Sequence, residues 1–498
     1  MTGATGFVGR SLSLQLQRDG HVLRVLTRSP EKAQATLGRD VQVVSMNDFS
    51  TTGPNALEGC EAVINLAGEP VVGRRWSAAQ KARLWDSRVG ITQTLVGNIA
   101  RLASPSPVLI SASAVGYYGN RIDSEIDETA NAGSDFLADL CVAWEEAALQ
   151  AQALGTRVVT LRTGIVLGQG GGALAKLAPL FRMAVGGRIG DGKQFVPWIH
   201  ISDLVNAIEA ALHNESITGP VNTVGPTPLT NRTFTKALAE AVHRPAVLPV
   251  PAPLLRLAMG ESAMTLLGGQ RAVPAKLLAN KFEFQFPTLD AALYDLLEDT
   301  MGCTISKAKN IPDSSYMEVR RPIYELRQET VVHAPIDQVS AFFSQAENLG
   351  LLTPPNVDFS ITSETPIEMS KGAEISYTIK IGKLPISWKT RIEAWEPEKR
   401  FVDAQMKGPY RCWWHQHTFR AAGNRTIMED RVLYALPLGI LGRIAHRLKV
   451  SRMLLEIFTY RTRAIQLRFG SPNSQRQASF SNAPSNKRTF NGTSRKTA

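Results

Sequence analysis

Gly3, Gly6 and Gly9 stand three residues apart and lead into Leu12, Leu14 and Leu16, an apolar run with helix-forming character. Residues of these types in this order suit the turn from a strand into a helix at which a dinucleotide pyrophosphate can sit. Gly3 is expected to allow a tight turn, Gly6 to let the main chain approach the phosphates, and Gly9 to let the helix pack close to the sheet. The unpaired N–H groups of the helix N-terminus would then face the anion. A glycine triplet alone also describes an ordinary turn before a helix, so its neighbours must decide. One strand later, residues 21–27 (His-Val-Leu-Arg-Val-Leu-Thr) end in Arg28-Ser29. An acid at that place binds a ribose 2′-hydroxyl, whereas a basic residue accommodates a 2′-phosphate. Arg28 therefore points to NADP, against the alternative of a surface arginine that merely follows a strand.

Three further groups could do chemistry. Ser113 closes the apolar run Val108-Leu109-Ile110-Ser111-Ala112-Ser113 and is followed by Gly116-Tyr117-Tyr118-Gly119. A serine and a tyrosine hydroxyl can together polarise a carbonyl, which makes Ser113 and Tyr117 the candidate catalytic residues. With no cation evident beside it, the tyrosine is expected to keep its free pKa of about 10; packing in a loop is the competing reading. His200, within FVPWIHISD (195–203), is a candidate acid or base, with a structural histidine bonded to Asp203 or main chain as the favoured reading. Trp413, His415 and His417 alternate, so at strand spacing they share one face. Two histidines at i and i+2 can bind a metal, but no third ligand is evident, and no metal site is assigned.

The elements that must position these groups follow from apolar runs. Strands are expected at 21–27, 41–44, 62–68, 108–113 and 157–161, alternating with helical segments such as 77–100. That alternation predicts an α/β doubly wound, mostly parallel sheet, with ligands at the carboxyl ends of its strands. The glycine motif should follow a full strand, central and buried on both faces, yet only two residues precede Gly3. The expectation is a misplaced start or a fragment. Residues 299–315 turn polar and predict a linker. From about Tyr316 the pattern becomes a strand (324–333), a helix (338–345), five strand-like runs between 374 and 434, and a long helix over 438–469. This order predicts an α+β helix-grip domain over 316–470. Leu441, Ile444, Leu448, Leu455 and Phe458 follow helical spacing and are expected to face its sheet. The arginines opposite them read as a solvated face, or as a weak contact with an anionic membrane surface.

Composition excludes several classes. The 498 residues suggest two to four domains, and 44% hydrophobic with 20% charged content describes soluble globular protein. No apolar run is long enough to span a membrane, and the glycine motif occupies the place of a signal peptide. Cys60, Cys141, Cys303 and Cys412 are scattered, which fits a reduced, cytoplasmic setting and lacks zinc-ligand spacing. The net charge of +11 is concentrated after residue 440 and in a disordered basic tail, 471–498. The rest of the chain is near neutral, so no nucleic-acid partner is implied.

Seven stretches carry a family resemblance: TGATGFVGR (2–10), VINLAGEPV (63–71), RRWSAAQKARLWDSR (74–88), SASAVGYYG (111–119), DFLADLCVAWEEAA (135–148), LRTGIVLGQGGGAL (161–174) and FVPWIHISDLVNAI (195–208). Residues 1–298 resemble an atypical extended short-chain dehydrogenase/reductase of the NAD(P)-dependent epimerase family, with that family's small C-terminal module at 249–297. The resemblance implies a Rossmann-type fold with NADP in its groove. Its cofactor contacts would fall on Gly3, Gly6, Phe7, Thr27 and Arg28 in the first half of the sheet, and on Leu66, Ala67, Arg88 and Val166 beyond it. The reductase family's usual acid/base pair is a Tyr with a Lys four residues on. Aligning Glu145 puts Leu137 and Cys141 at those places, so that pair is absent. The stretch ETVVHAPIDQVSAFFSQAENLGLLTP (329–354) and the closing helix resemble the START-like, polyketide-cyclase/dehydrase superfamily, which implies a cavity for an apolar ligand. Two functions stay open: an NADP-dependent oxidoreductase or epimerase-like enzyme acting on a small-molecule carbonyl or hydroxyl substrate, and a non-catalytic NADP-sensing, lipid-binding protein.

Overall fold

The computed structural model describes residues 1–104, 107–246, 248–297, 302–381 and 384–470. The tail expected to be disordered, 471–498, lies outside the described residues. In the first half the strands are β1 (Leu23–Thr27), β2 (Val41–Ser45), β3 (Ala62–Asn65), β4 (Val108–Ala114), β5 (Arg121–Ile126), β6 (Arg157–Thr163), β7 (Ile165–Leu167), β8 (Trp198–His200), β9 (Gly219–Thr223) and β10 (Gln270–Ala272). Strands β3, β4, β6 and β9 form a parallel sheet in the order β3-β4-β6-β9, and β1 pairs in parallel with β2. Thr2 sews the two parts together through parallel bridges to Leu26 and Asn65. Met1 O accepts from Leu26 N at 2.9 Å, and Thr2 N donates to Ile64 O at 2.9 Å. Helices flank this sheet, as apolar runs without alternation require of a parallel sheet covered on both faces. Val108, Leu109 and Ile110 of β4 are all buried.

The second half holds a large antiparallel sheet. Its strands are β11 (Thr304–Lys307), β12 (Tyr324–Val332), β13 (Ser360–Ile361), β14 (Glu374–Ile381), β15 (Leu384–Glu396), β16 (Arg400–Lys407), β17 (Cys412–Ala422) and β18 (Arg425–Ala435). Their order is β11-β12-β18-β17-β16-β15-β14-β13. The segment expected as a linker therefore contributes a strand of its own, because β11 pairs with β12 from Thr304↔Arg327 to Lys307↔Tyr324. A helix at Ile336–Phe343 and the closing helix Ser451–Phe469 pack against the sheet, the latter through Leu454 and Phe458 among Leu326, Trp413, Val432 and Tyr434.

The end of the chain departs from the expected single helix. Helical spacing puts Leu441, Ile444 and Leu448 on the sheet face, yet they are 66%, 50% and 77% exposed. The reason is a break in periodicity: a wider, π-type turn at His446–Val450 separates Gly439–Ala445 from Ser451–Phe469. Each extra residue in a turn rotates the face beyond it, so one stripe cannot serve both segments. Phe458, on the far side of the turn, is 3% exposed, as expected.

The two halves share one core. Leu12 and Leu16 of the first helix (Phe7–Arg18) belong to the same buried cluster as Leu351, Leu352, Ala464 and Ile465. Polar ties surround it: Arg10 Nη2 donates to Thr353 O at 2.8 Å and also to Gly350 O, and Lys32 pairs with Asp358 at 2.6 Å. Among the described residues no helix is long and apolar enough to cross a membrane.

Candidate functional site

The glycine turn is built as its spacing suggests. Gly3 has φ +65°, and a Cβ there would lie 2.5 Å from the Leu66 carbonyl oxygen, so only glycine fits. Gly6 caps the first helix, and its N–H donates to Gly3 O at 2.9 Å. A Cβ at Gly9 would come within 2.1 Å of Gly3 O and 2.7 Å of Ala4 Cα. Gly9 thus lets the helix close on the turn itself, in place of the expected helix-to-sheet packing. Leu66 and Ala67, at the end of β3, join this cluster; Ala67 N donates to Thr2 Oγ1 at 3.2 Å. The Phe7 ring is wedged under the glycine loop 168–172, where a Cβ at Gly171 would lie 2.3 Å from Phe7 Cδ2. Val166, half-buried in β7 and paired with Ile199, borders the same loop, its carbonyl 2.7 Å from a Cβ at Gly172.

Thr27 and Arg28 end β1. Thr27 Oγ1 accepts from Ser29 N at 3.2 Å, and Arg28 is exposed, with no ion pair among the described residues. Arg88 differs. It sits on the π-type turn Asp86–Gly90, is buried, and donates through Nη2 to Glu69 O at 2.8 Å and through Nη1 to Leu84 O at 3.3 Å. Its side chain pins the loop after β3, next to Gly68, whose added Cβ would lie 3.2 Å away.

Ser113 and Tyr117 are not hydrogen-bonded to each other. Ser113 Oγ donates to Glu145 Oε1 at 2.6 Å. Glu145 in turn holds Arg162 in a fork, Nε to Oε1 at 2.9 Å and Nη2 to Oε2 at 2.8 Å, with both side chains almost fully buried. Arg162 Nη1 also donates to Tyr118 OH at 3.0 Å, and Tyr118 OH to Asn222 Oδ1 at 2.7 Å. The Arg162 guanidinium stands 3.5 Å from the centre of the Tyr117 ring. The expectation of no cation beside the tyrosines is therefore corrected. Arg162 comes from β6, some 45 residues along, and sequence spacing cannot bring it there. Tyr118 is nonetheless pushed up to about 12, because burial outweighs the nearby guanidinium and the hydrogen bonds. The Tyr117 hydroxyl makes no hydrogen bond among the described residues, and its ring is half-buried.

The two residues at the missing acid/base positions form an apolar wall. A Cβ at Gly116 would lie 3.3 Å from Leu137 Cβ and 3.9 Å from Cys141 Sγ. Burial first, then the Glu145 charge, raises the Cys141 thiol to about 12, so it is no acid/base at neutral pH. His200 is bonded to the main chain, one of its two expected partners, through Nδ1, which accepts from Ser202 N at 3.1 Å; its side-chain partner is Asp295, 3.2 Å from Nε2. Asp203 instead accepts from Gln285 N and Phe286 N at 2.7 and 3.1 Å.

The second half encloses an apolar cavity between its sheet and the closing helix, about 1340 Å³ including its open mouth. Its wall is largely aromatic and aliphatic, Phe343, Trp388 and Phe458 among them, yet Asp403, His415, His417 and Arg461 also line it. Strand register assembles this polar group: Asp403 of β16 lies opposite His415 of β17, and His417 lies opposite Asp430 of β18. His415 Nε2 and His417 Nδ1 lie 2.9 and 2.7 Å from the same oxygen, Asp430 Oδ1. Burial, followed by repulsion from His417, pushes His415 down to about 4. Asp430 lies well below the ordinary carboxylate range; burial opposes this, but the charges of Arg461 and His417 and the histidine hydrogen bonds outweigh it. The alternation of 413, 415 and 417 is visible in sequence, whereas Asp403 and Asp430 belong to neighbouring strands and only pairing reveals them.

Comparison with known proteins bears on the first half. The model of the NAD dependent epimerase/dehydratase family matches residues 1–225, and that of a domain of unknown function, DUF1731, matches residues 250–296. The chain is 41% identical over 295 residues to an epimerase family protein of Mycobacterium leprae, ML0860, covering 59% of this chain and 93% of the relative. It is 39% identical over 308 residues to the chloroplastic SDR39U1 homolog of Arabidopsis thaliana, covering 60% and 86%. Among solved structures it resembles human epimerase family protein SDR39U1 (isoform 2), crystallised with NADPH, at 34% identity and a TM-score of 0.55, over 60% of this chain and 98% of that one. The glycine turn, the parallel sheet and the extent of these likenesses agree: the chain belongs to the NAD-dependent epimerase/dehydratase family.

Proposed function

We propose that this chain is an NADP-dependent oxidoreductase or epimerase-like enzyme acting on a carbonyl or hydroxyl substrate, with an apolar molecule held by a START-like, helix-grip second half. One observation carries the nucleotide reading: a glycine turn too tight for any Cβ opens the first helix, and the exposed Arg28 guanidinium ends the next strand without an ion pair among the described residues. The NADPH crystallised with the human relative supports the same cofactor here. Nicotinamide would supply hydride chemistry. Around it, the chain's own residues divide the remaining work. Ser113 gives its proton to Glu145, so its oxygen lone pairs stay available. The Tyr117 hydroxyl is the free donor toward a substrate oxygen, its ring held by the Arg162 guanidinium stacked on its face. Arg88 holds the loop after β3 in place.

Contacts between the halves support delivery of that apolar molecule to the nucleotide side. Gly170 packs against Pro354, Pro355 and Tyr460 of the second half. The cleft beside it shares Val357, Met453 and Ile457 with the apolar cavity.

The test is calorimetry of the full chain with NADPH and NADH. NADPH should bind at least tenfold more tightly, and Arg28→Ala should erase that difference, since a lost charge-assisted contact of about 1.5–3 kcal/mol corresponds to roughly 10- to 150-fold. Equal affinities, or no heat with either, would refute the reading. The Leu137 and Cys141 wall favours a second reading, a non-catalytic NADP-sensing and lipid-binding protein. Stoichiometric NADPH that is never oxidised across a panel of carbonyl substrates would select it.

A further inference from the structure

We propose that Asp403, His415 and His417 form a divalent metal site in the wall of the apolar cavity, held by Asp430 from behind. This assignment stands on the second half alone and does not depend on the nucleotide reading.

The geometry separates two faces of each imidazole. On one face, His415 Nε2 and His417 Nδ1 both lie within hydrogen-bond distance of Asp430 Oδ1, at 2.9 and 2.7 Å. A carboxylate only accepts, so His415 directs its Nε2–H there, while His417 Nδ1 lies between Asp430 Oδ1 and a donor, Arg461 Nη2 at 3.3 Å. On the other face, His415 Nδ1 is then a bare lone pair, and His417 Nε2 stands beside it. Both point toward Asp403 Oδ2, at 3.5 and 3.6 Å. Three possible ligand atoms thus converge, all within 4.8 Å of one another. The two distances to Asp403 are long for hydrogen bonds and lie at the upper end of a coordination edge. Ligand atoms about 2.0–2.1 Å from one ion, at angles near 90–110°, stand roughly 3–3.5 Å apart. A cation between them turns the repulsion between His415 Nδ1 and the Asp403 carboxylate into attraction.

The surroundings add a second, independent argument. Metal-ligating histidines commonly donate their other N–H to a carboxylate, which fixes the tautomer and ring orientation. Here one fully buried carboxylate contacts both rings, and Arg461 Nη2 stands 3.7 Å from it and 3.3 Å from His417 Nδ1. Two imidazoles and one carboxylate form a donor set of borderline softness, suited to Zn²⁺, Fe²⁺ or Co²⁺ and poorly suited to Ca²⁺ or Mg²⁺. Three protein ligands on one side leave the remaining positions directed at the cavity. An otherwise apolar occupant carrying one carbonyl or hydroxyl oxygen would place that oxygen on the ion and its hydrocarbon among Trp388, Phe343 and Phe458.

The test uses the full-length protein, stripped with chelator, and Co²⁺ alone as the probe. One equivalent should bind with the visible absorption of a low-symmetry nitrogen/oxygen site and be displaced by Zn²⁺. Asp403→Asn should abolish stoichiometric binding while the circular-dichroism melt stays cooperative. Asp430→Asn, which touches no metal, should weaken Co²⁺ affinity roughly 10- to 100-fold. Absence of one-equivalent binding by the parent protein, or unchanged affinity in Asp403→Asn, would overturn the assignment.

Discussion

Replacing Glu145 by glutamine isolates the buried network that orders the first-half site. The side chain accepts three short hydrogen bonds, from Ser113 Oγ and from Nε and Nη2 of Arg162. Arg162 is 4% exposed at its side chain, so it cannot turn to water when its partner loses its charge. The amide of glutamine supplies one acceptor oxygen and puts an NH₂ against a second donor. The remaining acceptors on Arg162, Tyr118 OH and Glu128 O, are 3.0 and 3.2 Å away and carry no full charge. Breaking such a pair from one side costs about 3–5 kcal/mol. At roughly 2 °C per kcal/mol for a chain of this size, the melting midpoint should fall by about 6–10 °C. A paired Glu145→Leu, Arg162→Met variant removes both charges and should recover more than half of that loss, because it leaves no buried ion unmatched. Differential scanning calorimetry on the three proteins decides. A fall below about 2 °C in Glu145→Gln, or a double variant as unstable as the single one, would show that the fork does not hold the site together.

Three other outcomes follow from the same structure. Ala at position 9 would set a Cβ 2.1 Å from Gly3 O, so Gly9→Ala should move the first helix off the turn and weaken NADPH binding at least tenfold by fluorescence titration; unchanged affinity would contradict the role of close approach. His200 is buried and its pKa is lowered, by burial first and against the pull of Asp295 and Asp203, with Arg463 adding to the lowering. A folded pKa below the unfolded value of about 6.5 means that stability is complete above that pH and declines as the pH falls below it. Thermal midpoints between pH 7 and 5 should therefore fall less steeply in His200→Gln than in the parent, and identical slopes would refute the assignment. Finally, Phe458→Ala should cost about 3–5 kcal/mol in urea unfolding, whereas Leu448→Ser should stay within about 0.5 kcal/mol, reversing the ranking that an unbroken helical stripe implies.

Local signals carried much of the fold. Strand boundaries at Leu23–Thr27, Val41–Ser45 and Val108–Ala114 lie close to the apolar runs that announce them, and six antiparallel strands of the second half lie within two residues of theirs, whereas Thr304–Lys307 and Ser360–Ile361 have no run to announce them. The glycine turn is legible because its chemistry is contained in nine consecutive residues. What stays hidden depends on pairing between distant segments. Arg162 reaches the tyrosines across the sheet, Asp403 and Asp430 reach the histidines across strand register, and Asp295 displaces Asp203 as the partner of His200. The π-type turn at His446–Val450 is invisible for another reason: nothing in its composition breaks a helix, and only the change of buried face betrays it.

The guanidinium of Arg10, four residues past the Gly6 cap, ends on the carbonyls of Gly350 and Thr353. With Leu12 and Leu16 sharing a buried cluster with Ala464 and Ile465, the helix that opens the nucleotide turn has its outer face upholstered by the far end of the chain. Cutting away residues 302–470 would strand that arginine's donors and expose a greasy stripe on the first helix. Melting of either half should consequently drag the other with it, so that heat absorption appears as one peak where a beads-on-a-string arrangement would give two.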